Sequence, residues 1–118
     1  MARVYKFTGI AALSLMMACA PVTDIRLRAV AIADDGSETF RGEIHGPAYG
    51  DGVLTLKSDQ GITCVGTYSH YSQAGGTGEF TCSDTRKGVF EFQTKGFSAT
   101  GSGTLEDAPF TFKVGRAV

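Results

Sequence analysis

The segments around Cys64 and Cys82 constrain the fold more than any other feature of this 118-residue chain. Ile62-Thr-Cys-Val-Gly-Thr-Tyr68 and Gly78-Glu-Phe-Thr-Cys82 both alternate apolar and polar residues, with Ser72-Gln-Ala-Gly-Gly76 between them, the pattern of a β-hairpin. Placing Cys64 opposite Cys82 sets Ile62 across from Asp84, Gly66 across from Phe80 and Tyr68 across from Gly78, all on one face. Each glycine then faces an aromatic ring, which can cover its bare backbone. A disulfide closing a loop of this size contributes on the order of 3 kcal/mol in the chain-entropy account. A redox or metal-binding pair would need Cys-x-x-Cys spacing or neighbouring histidines, and neither is present.

The rest of the chain beyond Gly36 continues the theme. Phe40/Gly42/Ile44, Leu54/Leu56, Phe90/Phe92 and Phe110/Phe112/Val114 alternate with polar residues in runs spaced as in all-β folds. Sixteen glycines, about twice the usual share, supply the turns. The expectation is an all-β, small antiparallel meander, a sandwich or a barrel, with one hairpin disulfide. Asp24 to Ala33 suits an edge strand through Ile25, Val30 and Ile32, although Leu27, Ala29 and Ala31 also permit a short helix behind Thr23. Three Gly-x-Gly segments, beginning at Gly50, Gly76 and Gly101, recur 26 and 25 residues apart. They faintly resemble MORN repeats, a likeness that bears on fold rather than function.

The chain opens with Arg3 and Lys6, an apolar run from Phe7 through Met17, then small residues, the form of an export signal. About a dozen apolar residues are too few to span a bilayer. Leu15-Met16-Met17-Ala18-Cys19 resembles the lipobox of bacterial lipoprotein precursors, with methionines where leucine and a small residue are commoner. That resemblance implies a cleaved signal helix over 1–18 and a diacylglyceryl group on the Cys19 thiol, with palmitate-type acylation of the new amino group. Residues 19–36 would then be a tether with a possible first strand, and 37–118 the β domain. Ala20 implies the outer membrane, facing the periplasm. Lipidation of Cys19 also resolves the odd count of three cysteines, leaving Cys64 and Cys82 to pair. Ordinary cleavage after Ala20 is the alternative, and Pro21 disfavours it.

Chemistry-bearing groups are sparse. His45 and His70 are the two histidines, and no Gly-x-Ser-x-Gly elbow accompanies them. The carboxylates of Asp34-Asp-Gly-Ser-Glu38 lack the spacing of a calcium loop and read as a solvated hairpin turn. Beyond the leader, 9 basic and 12 acidic side chains give no footprint for nucleic acid. No catalytic residue, metal or cofactor is therefore expected. Tyr68, His70 and Tyr71 form a candidate partner surface, with a core position for Tyr68 the equal alternative. The expected function is a non-catalytic cell-envelope lipoprotein that is held to the membrane by its N-terminal lipid and binds an envelope protein or polymer. Ser98-Ala-Thr-Gly101 resembles the Ser-x-Ser-Gly segment of small lysozyme-inhibitor lipoproteins, without the aromatic and lysine that follow there; a lipid-anchored hydrolase inhibitor is the alternative.

Overall fold

Alternation sends every second side chain of a strand to one face, and in this chain eight such strands curl that face into the inside of a ring. The computed structural model describes residues 24–47, 50–116 and 118. Cys19, the leader and residues 20–23 lie outside them. The strands are β1 (Asp24–Ala33), β2 (Thr39–Pro47), β3 (Asp51–Ser58), β4 (Thr63–Ser72), β5 (Gly75–Cys82), β6 (Lys87–Lys95), β7 (Ser98–Leu105) and β8 (Ala108–Gly115). Each pairs antiparallel with its sequence neighbour, and β1 also pairs with β8, closing the barrel.

The β4–β5 register is the expected one: Cys64 opposite Cys82, Gly66 opposite Phe80, Tyr68 opposite Gly78. Cys64 and Cys82 are disulfide-bonded. The ladder stops there, because Ile62 and Asp84 already belong to the turns that flank it. Asp24 to Ala33 is a strand, but an interior one. Its small inward residues Ala29 and Ala31 sit beside Val114 and Phe112 of β8, so the bulk on one strand fills the space left by the other. A closed ring has no strand edge to protect.

Inward positions carry Leu27, Phe40, Leu54, Leu56, Phe80, Phe90, Phe92, Leu105 and Phe110 as a single core. Phe90 meets Phe112 edge to face with centroids 5.1 Å apart, and Phe80 meets Phe110 at 5.8 Å. Such pairs add about 0.5–1.5 kcal/mol each beyond area burial. Outward positions carry Arg28, Arg41, Glu43, Lys57, Glu79, Glu91 and Lys113.

The rings fit because glycines lie beneath them. A Cβ on Gly103 would collide with the Val89 carbonyl oxygen and stand 2.8 Å from Phe90 Cα. Gly66 is equally confined, against the Glu79 carbonyl and Phe80. Here the Gly-x-Gly repeat acquires a physical meaning. Its second glycine falls in β3, β5 and β7 under an aromatic side chain, Tyr68 over Gly52 and Phe90 beside both Gly78 and Gly103. The period of about 25 residues is two strands of the meander.

Candidate functional site

The two ends of the barrel differ. The turns joining β1 to β2, β3 to β4, β5 to β6 and β7 to β8 gather at one end, and there the disulfide lies inside the barrel. Cys64 is fully buried and Cys82 nearly so. Beside them, Arg86 donates to both oxygens of Glu38, Nη1 to Oε1 at 2.9 Å and Nη2 to Oε2 at 3.1 Å. The same guanidinium donates through Nε to Asp84 Oδ2 at 2.7 Å. These hydrogen bonds from Arg86 hold the Glu38 carboxyl below its ordinary range despite its burial, and the Ser58 hydroxyl adds to the effect. Glu38 therefore does not belong to a solvated turn, as its neighbours Asp34 and Asp35 suggest. It is buried, and its partner lies 48 residues away. This end is sealed.

The opposite end holds the start of β1, the end of β8, and the turns from β2 to β3, β4 to β5 and β6 to β7. A cavity of about 100 Å³ opens here, running inward past His70, Phe92, Phe112, Ala99 and Leu27. Its walls are almost wholly apolar. About three waters could fit by volume, yet few polar partners are on offer to hold them, the condition under which such cavities stay dry and take apolar guests.

Tyr68 and His70 follow from the β4 alternation that puts Cys64 inside. Tyr68 is buried across from Gly78, and burial pushes its phenol pKa up. His70 is half-buried at the mouth, and its Nδ1 lies 3.0 Å from the Gly50 carbonyl oxygen. A carbonyl only accepts, so Nδ1 carries the proton. Phe92 completes the group, with its ring 5.2 Å from His70 and 6.0 Å from Tyr68. Tyr71 does not join them. Adjacent to the inward His70, it follows the alternation of β4 to the outer wall and is 68% exposed.

Thus the structure brings together two of the three expected contact residues and adds Phe92, Phe97, Ala99 and Phe112. Phe92 and Phe112 were visible in the sequence as core-type alternation, but nothing local told a wall residue of the cavity from packing. His45 lies on the outer wall, its Nε2 3.1 Å from Asp24 Oδ2. Among the described residues, no three His, Cys, Asp or Glu side chains are grouped as metal ligands would be.

An eight-stranded up-and-down barrel with one sealed end and one apolar mouth defines a small cup-like fold. Designed proteins share it. A redesigned β barrel, mFAP1, bound to DFHBI, superposes with a TM-score of 0.61 over 77% of this chain and 92% of that one, at 17% identity. A de novo designed fluorescence-activating β barrel gives 0.61 over 77% and 90%, at 16% identity. The redesigned barrel mFAP0, also bound to DFHBI, gives 0.59 at 18% identity, over 77% and 95%. Identities this low establish the fold alone. No family model matches the sequence, and no curated protein matches it.

Proposed function

We propose that this chain is a non-catalytic lipoprotein of the bacterial envelope, anchored through Cys19 on the periplasmic face of the outer membrane, whose barrel receives an apolar group of an envelope component in its open end. The observation that carries the binding part is the cavity: an apolar hollow with an aromatic rim at one end only. Its volume is below that of pockets for drug-sized ligands, roughly 300–1,000 Å³. A ring or chain end of a larger molecule fits it better than a whole metabolite. The lipobox-like Leu15–Cys19 segment supports the anchor.

Benzene is a suitable probe, being wholly apolar and far smaller than a drug-sized ligand. Added to the isotope-labelled protein, it is expected to shift the NMR signals of Leu27, Ala99 and Phe92 while leaving the outer-wall Val53 and Val65 unmoved. Shifts confined to the outer wall would refute the binding part. Palmitate incorporation that persists in a Cys19→Ser variant would refute the anchor.

A further inference from the structure

We infer that the barrel mouth is turned toward the bilayer and that its cavity takes the methyl end of a lipid acyl chain; the inference rests on the proposed lipidation of Cys19. Three observations converge on it.

The first is the tether. Cys19 and Asp24, the first residue of β1, are five steps apart along the chain. Fully extended, five residues reach about 17 Å. Ile25, the next residue of β1, itself lines the cavity. A lipid on Cys19 is thus confined to the neighbourhood of the mouth. The sealed end lies a whole strand further on, and the ten residues of β1 rise about 33 Å along the strand.

The second is the rim. Phe97, in the turn between β6 and β7, is 55% exposed and lines the mouth. The Arg116 guanidinium lies 5.3 Å from the centre of its ring. An exposed aromatic ring under a cation suits the layer where acyl chains meet phosphate groups, the ring entering the apolar side and the guanidinium staying with the anionic one.

The third is the cavity's size and chemistry. About 100 Å³ corresponds to three or four groups of water or methylene size. Rings of Phe92 and Phe112 and the methyls of Leu27, Ala29 and Val114 offer surface to an alkyl chain and no partner for a headgroup. Moving CH₂ groups from water into such a site is favourable, but a chain end leaving the bilayer core gains nothing from hydrophobicity itself. Its occupancy therefore rests on ring and methyl packing and on nearness to the bilayer, so the guest exchanges readily with it.

The chain end can come from the lipid on Cys19 or from a neighbouring phospholipid. The mature lipidated protein, reconstituted in vesicles of phosphatidylethanolamine and phosphatidylglycerol, distinguishes them. In one arm the cells are grown on palmitate isotope-labelled at its terminal methyl and the protein is transferred to unlabelled vesicles. In the other only the vesicle lipid carries the label. Magnetisation transfer from the labelled methyl to the Phe92 and Phe112 rings is expected in one arm, which names the source. Its loss in Ala99→Leu, which fills the cavity from β7, confirms the place. A Phe97→Trp variant provides a second readout in a chain that has no Trp: phospholipids brominated along the acyl chain are expected to quench it at least twofold more than a Val65→Trp reporter on the outer wall. No transfer in either arm, or equal quenching at both positions, overturns the inference. The mass of the mature chain separates the two readings. A protein that carries its lipid and fails these tests refutes only the acyl site, whereas a chain with an unmodified Cys19 refutes the anchor.

Discussion

Reducing the Cys64–Cys82 bond tests how much of the barrel's stability the cross-link supplies. The bond joins residues 18 apart. For a loop of that length the chain-entropy relation gives about 3 kcal/mol at 25 °C, lost when the unfolded chain regains its freedom. Reduction changes no side chain other than the two cysteines, so the comparison isolates the cross-link from packing. Both sulfurs are buried, and complete reduction requires unfolding in urea before the chain is returned to buffer containing reductant. With a urea slope of about 1.5 kcal/mol/M, the midpoint should fall by about 2 M, read by circular dichroism. A fall of less than about 0.5 M would refute the reasoning. It would mean that β4 and β5 stay together in the unfolded chain without the bond, leaving little freedom for the bond to remove.

Two further outcomes follow from the sealed end and the lined bore. Because Arg86 lowers the folded-state pKa of Glu38, their pairing stabilises the barrel above the unfolded carboxyl value of about 4.3, and the benefit disappears as the pH drops below it toward the lower folded value. Arg86→Ala should thus cost about 2 kcal/mol at neutral pH, a figure reduced from that of a fully buried pair because the arginine is partly exposed. The gap between the two proteins should narrow as the pH falls below about 4.3, and a gap that stays as wide as at pH 7 would contradict the assignment. Gly103→Ala should lose about 2 kcal/mol or more, since its Cβ is driven into the backbone of β6. Ser102→Ala, facing water next to it, should remain within about 0.5 kcal/mol of the parent in the same thermal melts.

The β4–β5 register was legible because two local signals, alternation and paired glycine and ring positions, fixed the same pairing. Closure was not. It depends on β1 meeting β8, and nothing in Ala29 or Ala31 alone shows that Val114 and Phe112 occupy the space beside them. The short side chains of β1 made a helix a real competitor for the same reason. Glu38 was misread because its neighbours are turn residues, whereas its environment is set by an arginine far along the sequence. At the mouth, Tyr68 and His70 were found from β4 alone; Phe97, Ala99 and Phe112 needed three more strands to be brought around the ring. Tyr71 was separable from them by the same period of two, since the residue next to an inward His70 falls on the outward face of β4.

In a ring of eight strands, the seam between β1 and β8 stands diametrically across from the β4–β5 pair that carries the disulfide. All other pairings join sequence neighbours, so the seam alone brings together distant parts of the chain and bears the largest loop-closure entropy. It should be the last contact made in folding and the first surrendered in opening. When it parts, what remains is a curved eight-stranded sheet bolted at its centre, with two free edges that can find each other again. The barrel thus keeps its most reversible joint between its first and last strands and its covalent one where strand exchange would be hardest to undo.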